Sequence, residues 1–476
     1  MGNGLKSPHI LLVLVDQMRA DALGQATPAL NALARRGVRF ENCYCAATLC
    51  SPSRNSIVTG LFPGQHGVCG NMGDPIAADL RADTHARHLQ ELGYHTAYVG
   101  KHHYVDRSGL AYDLVDDDPL LREYGYHHVW QVGDVADARR GADRFTRHLA
   151  ERGLLAEWRR EVGAGYVAGS DEGNTTDGYI GESAVRYLQS YEGGAPLFLT
   201  VGFVGPHGPY WSPEPYASMF APEQVAEPVG IRGRVRTGSD LYGARDLARS
   251  GSLDDPATVD RFRRQRAASL GMVAFIDHQV DRLLRVLAQR GWIDDTLVVF
   301  TSDHGNLLGD HGLEGKRFFH EPVSRVPLLM AGPGVTCDRR VGMTAARELA
   351  SGVDLYPTFL DAAGAVRPGG DRAREGISLL GLLRGQAAPR REVFSELGTA
   401  MMIRDARHKL VYDPEQGGVL ELYDLRRDPW ELRNLAGSAG CRGLEAELID
   451  RMLARMIRLT HYSHLKERIN FQQVRV

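Results

Sequence analysis

Four short apolar runs stand out along the 476-residue chain: Ile10 to Val15, Thr96 to Val99, Leu197 to Phe203 and Leu297 to Ser302. Near-continuous apolar character without alternation predicts strands buried on both faces, as in a parallel sheet covered by helices. Each run gives way to polar residues. Asp16 and Gln17 follow the first, Lys101 and His103 the second, His207 the third, and Asp303 and His304 the fourth. Ligands of open α/β sheets bind outside the carboxyl ends of the strands, so these four tails are expected to converge on one crevice. Before the fourth run, Leu270, Val273, Ile276, Val280, Leu283, Leu284 and Leu287 recur in three- and four-residue steps, which predicts a helix with its apolar stripe in the core. Gly291 closes that helix and a strand follows within a few residues, the alternation expected of an α/β fold.

The pattern weakens between Tyr104 and Gly194, a stretch rich in charge, tyrosine and glycine where specificity loops are expected. From about Gly385 it changes to short β runs, Val393 to Ser395 and Lys409 to Tyr412, and then to a helix near Leu444 to Leu459. The expected organisation is a large α/β domain over residues 1–385 and a small C-terminal α+β subdomain over 386–476. No internal repeat is apparent.

Composition narrows the function classes. Hydrophobic residues make up 43% and charged residues 24%, and the formal charge of -3 comes without a long basic run, which argues against nucleic acid as a partner. The opening run Ile10 to Val15 is too short to span a bilayer or to serve as a signal peptide, so no membrane association and a cytoplasmic location are expected. Six cysteines (Cys43, Cys45, Cys50, Cys69, Cys337 and Cys441) show no paired C-x-x-C spacing, so reduced thiols are expected and structural zinc is not. Only five of 56 basic residues are lysine: Lys6, Lys101, Lys316, Lys409 and Lys466. In so arginine-rich a chain, a retained lysine marks a place where a compact ammonium could be needed.

The segment Cys50-Ser51-Pro52-Ser53-Arg54 precedes Asn55, Ser56, Ile57, Val58 and Thr59 and reads as a helix start with proline in its first turn. Cys50 then sits at a helix N-terminus, where the dipole and free N–H groups favour an anionic nucleophile. A cysteine in that place is ordinarily structural, but C-x-P-x-R matches the maturation signal of type I sulfatases, whose cysteine is oxidised to formylglycine. The segments HILLVLVDQMRADAL, TPALNALARRGVRFENCYC, GYHTAYVGKHH, VGFVGPHGPY, TSDHGNLLGDHG and ELYDLRRDPWELRNLA also resemble sulfatase segments, in the family's order and over nearly the whole chain.

The resemblance implies an alkaline-phosphatase-like fold, a mostly parallel sheet sandwiched by helices, and a hydrolase that cleaves a small-molecule sulfate monoester to alcohol and sulfate. It implies a formylglycine-generating enzyme as a maturation partner. Hydrated formylglycine offers two hydroxyls, one to attack sulfur and one to release sulfate, whereas serine would need water to attack a sluggish ester. Asp16, Gln17, Asp303 and His304 would bind one divalent metal together with the oxygen formed on Cys50. Calcium suits the oxygen-rich set, and the nitrogen of His304 would also suit manganese. Many arylsulfatases carry aspartate where Gln17 stands and asparagine where His304 stands, a departure that draws this chain toward the choline-sulfatase and phosphonate monoester hydrolase branches. Lys101 and His103 resemble the lysine-x-histidine pair that holds the formylglycine hydroxyls, and Arg54 braces the nucleophile. His207 and Lys316 would hold sulfate oxygens and meet the charge that builds on the leaving oxygen. His66 and Asn71 are candidates for the pocket lining, while His102, His127, His128, His311 and His320 read as surface or packing residues, with His102 the one worth testing.

Three other readings compete: a phosphonate monoester or phosphodiester hydrolase of the same superfamily, a non-catalytic metal-binding scaffold, and a cysteine hydrolase using the Cys50 thiolate. The scaffold gives no reason for so complete a set of reactive residues, and the cysteine hydrolase leaves Asp16 and Asp303 without a role. No motif specifies the alcohol part of the substrate, and assembly into a homo-oligomer stays open.

Overall fold

The computed structural model describes residues 7–472 except 25, 72, 106–111, 165–170, 231–249, 336–343 and 366–371. Cys337 lies outside the described residues. The apolar runs become strands of an eight-stranded sheet: β1 (His9–Val15), β2 (Gly37–Tyr44), β3 (His95–Gly100), β4 (His128–Gln131), β5 (Leu197–Gly202), β6 (Thr296–Ser302), β7 (Arg325–Ala331) and β8 (Thr344–Ser351). Their order is β4-β3-β5-β1-β6-β7-β2-β8, with β7 alone running against the others. β7 carries Pro327, which cannot donate to a ladder, and it is accommodated where the register of β2 shifts between Phe40 and Cys43.

The four strands legible in the sequence form the contiguous centre β3-β5-β1-β6. Their ends are level, since Gly202 pairs with both Gly100 and Leu14, and Val15 pairs with Ser302. Their polar tails therefore emerge side by side. Along β1, Leu11, Val13 and Val15 pack on one face with the helices Thr176–Ser190 and Pro256–Gln289, and Ile10, Leu12 and Leu14 pack on the other with Cys50–Thr59 and Leu355–Ala362. Each such aliphatic side chain contributes about 1.5–3 kcal/mol on burial. The long helix begins at Pro256 with the Asp255 carboxylate accepting from Ala257 N and Thr258 N, and ends where Gly291 turns left-handed at φ 71°.

At the end of β3, Gly100 has φ 103°, and a side chain there would put its first carbon 2.1 Å from Gly202 O. Only glycine lets β3 pass this close to β5 while the chain turns Lys101 toward the crevice.

The C-terminal region forms a four-stranded antiparallel sheet of β9 (Glu392–Leu397), β10 (Ala400–Asp405), β11 (His408–Asp413) and β12 (Gly418–Asp424), followed by the helix Arg442–Gln472. Val393, Met402 and Val411 pack on Tyr44 at the end of β2 and on Leu49 and Phe319 beyond the strands of the larger sheet. Beside this contact Lys409 is fully buried; its Nζ donates to Phe319 O at 2.9 Å and pairs with Glu321 Oε1 at 2.7 Å and Glu431 Oε1 at 2.8 Å. Replacing Lys409 by Met would leave two carboxylates buried without their shared cation, and is expected to cost about 3–5 kcal/mol of stability. Urea unfolding checks this, and a loss under about 1 kcal/mol would place the ion triad among the weak surface-like pairs.

Candidate active site

The helix Cys50–Thr59 is buried along its whole length although six of its ten residues are Ser, Arg, Asn or Thr. It is tolerated because its polar groups, Ser51 Oγ aside, are bonded within the helix or to its surroundings. Ser53 Oγ donates to Asp303 O at 2.6 Å, and Asn55 Nδ2 donates to Ser51 O at 2.9 Å and Tyr104 O at 3.0 Å. Ser56 Oγ lies 3.0 Å from His66 Nε2, and Thr59 Oγ1 donates to Asn55 O at 2.6 Å. Cys50 is the first residue of the helix, and the next amide, Ser51 N, donates to Asn71 Oδ1 at 3.1 Å. Asn71 thus caps the nucleophile helix, while His66 braces its far side.

Asp16 and Asp303, at the ends of neighbouring β1 and β6, are fully buried. Arg54 spans them, with Nε on Asp303 Oδ2 at 2.8 Å, Nη2 on Asp16 Oδ2 at 3.3 Å, and Nη1 donating to Lys101 O at 2.9 Å. Asp303 Oδ1 also accepts from Gln17 N at 3.0 Å and His304 N at 2.8 Å. Burial alone would raise the pKa of Asp16, but Lys101, His207, Lys316 and Arg54 hold it well below the ordinary carboxylate value. Burial and the nearby Asp16 push Asp303 up, and His304, Arg54 and Lys316 bring it below its usual value. Both carboxylates are ionised.

Cys50 Sγ lies at the centre of this cluster: 2.6 Å from Lys316 Nζ, 3.1 Å from His304 Nε2 and 3.7 Å from Asp16 Oδ1. Burial lowers the pKa of His304, so the ring is neutral. Its Nδ1 lies 2.9 Å from Gly305 O and must carry the proton, which leaves the Nε2 lone pair facing Cys50. Lys101 Nζ pairs with Asp16 Oδ2 at 2.7 Å and with Asp134 Oδ2 at 3.3 Å. Burial opposes the charges of Lys101 and Lys316, yet their neighbours, led by the Asp16 carboxylate for Lys101 and by the Cys50 sulfur for Lys316, raise both above the usual lysine value.

The structure therefore joins Asp16, Cys50, Arg54, Lys101, Asp303, His304 and Lys316 by direct contacts. Gln17 and His103 are buried in left-handed backbone at φ 69° and 51°, each beside a strand end. His207 lies in the field of Lys316, Asp16, Lys101 and Asp134, and burial brings its pKa down to about 3, so it is neutral, with Nδ1 2.6 Å from Gly208 O. His102, His311 and His320 are buried packing residues, and His102 Nδ1 accepts from Tyr104 N at 3.2 Å. Asp134 was not singled out by the sequence; its signal was the four-residue strand β4 just before it, too short to stand out.

The donor set fits a divalent cation. Ligand atoms of Asp16, Cys50, Asp303 and His304 all lie within 4.8 Å of one another. Gln17 Oε1 is buried with no hydrogen-bond partner among the described residues, as expected of an oxygen reserved for a metal. Calcium or manganese added to chelated protein at a hundred times its Kd should raise the unfolding free energy by about 2.7 kcal/mol. D303N should lose that gain, and wild-type protein indifferent to both ions in thermal unfolding would count against the site.

Comparison with known proteins agrees with this geometry. The sulfatase family model matches residues 8–365, and the C-terminal model of N-sulphoglucosamine sulphohydrolase matches residues 309–458. The chain is 31% identical over 466 residues to a choline-sulfatase of Rhizobium meliloti, covering 90% of this chain and 82% of that one. It is 28% identical over 465 residues to an arylsulfatase of Clostridium perfringens, covering 90% of each. Among solved structures, the phosphonate monoester hydrolase of Silicibacter pomeroyi superposes with a TM-score of 0.79 at 26% identity, covering 95% of this chain and 96% of that one. With its mostly parallel sheet, its buried Asp16–Cys50–Asp303–His304 cluster and a family match over most of its length, the chain belongs to the sulfatase family.

Proposed function

We propose that this sulfatase acts on a small-molecule sulfate monoester through formylglycine made from Cys50 by a maturation enzyme. The observation that carries the reading is the position of Cys50: first residue of a buried helix, within contact distance of Lys316, His304 and Asp16. As its hydrate, formylglycine supplies one hydroxyl to attack sulfur and a second to expel sulfate. A bound cation supplies charge to ionise that hydroxyl and to draw in the ester. Calcium is our first assignment, given the oxygens of Asp16, Gln17 and Asp303, and manganese the alternative, given His304 Nε2.

The chain's own residues do the rest. Arg54 holds both aspartates ionised and in place, and Lys101, backed by His103, steadies the nucleophile from the end of β3. Lys316 and His207 bind the sulfate oxygens, and Lys316 brings a full positive charge to the oxygen that leaves with the alcohol. The relatives support choline and aryl sulfates as first probes. The free thiols of Cys43 and Cys45 support a reducing, cytoplasmic setting. No helix among the described residues is long and apolar enough to cross a membrane.

Peptide mass spectrometry of protein made together with a maturation enzyme should find an aldehyde in place of the Cys50 thiol. A wholly thiol peptide from an active preparation would rule this nucleophile out. The same preparation should turn over aryl or choline sulfate with a higher kcat/KM than a phosphonate monoester with a matched leaving group, and a clear phosphonate preference would move the chain to that related branch.

Lys101→Arg keeps the charge, but a planar fork cannot fit between Asp16 and Asp134 as a compact ammonium does. The expected loss in kcat is roughly 100-fold, the scale seen when one transition-state donor is removed, and wild-type turnover in the variant would take Lys101 out of the site.

A further inference from the structure

Asn306 stands in the segment TSDHGNLLGDHG, shortly after Asp303, and the reaction outlined above gives it no part. It is buried, and its side-chain amide is bonded at both ends. Oδ1 accepts from Leu308 N at 3.2 Å and from Gly315 N at 3.2 Å, while Nδ2 donates to Tyr210 Oη at 2.9 Å. The two backbone N–H groups settle which end is the oxygen. The backbone of Asn306 is held separately: its N donates to Pro322 O at 3.0 Å, and its O accepts from Arg19 Nη1 at 3.2 Å. The amide therefore projects from a fixed point beside the sheet.

Its partners lie next to two residues that the reaction needs. Gly315 immediately precedes Lys316, and Tyr210 follows His207 on the same loop. The chain from Asn306 to Lys316 has little regular structure to hold it: apart from one 3-10 turn at Asp310–Gly312, it winds through left-handed backbone at Leu308, Gly309, His311, Gly312 and Gly315. Gly315 is bracketed there, its O accepting from Leu307 N at 2.9 Å and its N donating to Asn306 Oδ1. On the other side of Lys316, Arg317 N donates to Thr48 O at 3.0 Å, just before Cys50. Such framing matters because the lysine stem is long and flexible, yet Nζ stands 2.6 Å from the Cys50 sulfur. A misplacement of about 1 Å at such a site can cost roughly 100-fold in rate.

We infer that Asn306 is a positioning residue: its amide ties the turn that carries Lys316 to the loop that carries His207, so that both meet the ester in one fixed arrangement. This rests on the roles given above to Lys316 and His207. Without the amide, Leu308 N–H and Gly315 N–H would lose their buried acceptor, and the turn would shift to find another.

In matured enzyme, Asn306→Ala should lower kcat roughly tenfold on 4-nitrophenyl sulfate and roughly 100-fold on phenyl sulfate, whose leaving oxygen gathers more charge and depends more on Lys316. An amide that only stabilised the fold would lower both alike. In a Lys316→Ala background the same change should cost less than about twofold, because the group it positions is gone. Equal losses on the two esters, or an undiminished loss in that background, would overturn the inference. Tyr210→Phe should lower kcat by roughly threefold alone and add nothing to Asn306→Ala, and additive losses would overturn the link to the His207 loop. Asn306→Ser, too short to reach both N–H groups, serves as a second variant should the first fold poorly. A crystal structure of Asn306→Ala with Cys50 unmodified gives a readout free of turnover. Lys316 Nζ should there leave hydrogen-bond distance of Cys50 Sγ while Arg54 keeps its bonds to Asp16 and Asp303, and Lys316 still in contact would overturn the inference. If wild-type enzyme ignores sulfate esters, or Lys316→Ala turns over like wild type, the proposed function fails instead, and the crystal structure still decides whether Asn306 places Lys316.

Discussion

Two ionised aspartates at the ends of adjacent parallel strands cannot share a dry site unless positive charge is placed between them. Two like charges 4 Å apart repel by about 4 kcal/mol even at an effective dielectric of 20. Asp16 and Asp303 are held in that state by Arg54, whose fork reaches both at once while a third donor pins the carbonyl of Lys101. The requirement spreads outward. Arg54 reaches the carboxylates only if its helix runs through the interior, and a helix this polar can be buried only if Ser53, Asn55, Ser56 and Thr59 find partners there. The site and the middle of the fold are in this respect one hydrogen-bonded object.

That arrangement explains how the two kinds of cation are distributed. Arginine occupies the position that must span two carboxylates, where a planar fork is the right shape. Lysine occupies positions surrounded on several sides: Lys101 between Asp16 and Asp134, Lys316 against Cys50, and Lys409 between Glu321 and Glu431. A compact ammonium with three rotatable donors suits such cages. Cys50 stands at the positive end of its helix with Lys316 Nζ 2.6 Å from its sulfur.

The smaller sheet bears on the chemistry through Lys409. Its bond to Phe319 O and its pair with Glu321 anchor the stretch that follows Lys316, so the C-terminal strands help set where that lysine stands. Covalently distant segments are thereby coupled through one buried ion triad, and loosening it would be felt in the position of Lys316 as well as in stability.

The sequence by itself determined the four central strands, the order of their polar tails, the amphipathic helix before β6 and the helix opening at Cys50, because apolar runs and breaker residues report local burial and chain direction. It also carried most of the reactive set, since those residues sit immediately after strands or in the CSPSR segment. It did not determine β7, whose Pro327 weakens the strand signal and finds its place only opposite the irregularity in β2. Nor did it reveal β4, a four-residue strand whose burial comes from its neighbours. Asp134, just beyond β4, and Asn71, capping Ser51 from twenty residues away, act through contacts that no local spacing encodes. Periodicity tells which face of an element is buried, whereas the partner of a buried charge is decided by which strand ends the fold brings level. Only the tertiary structure placed Lys101 between two carboxylates.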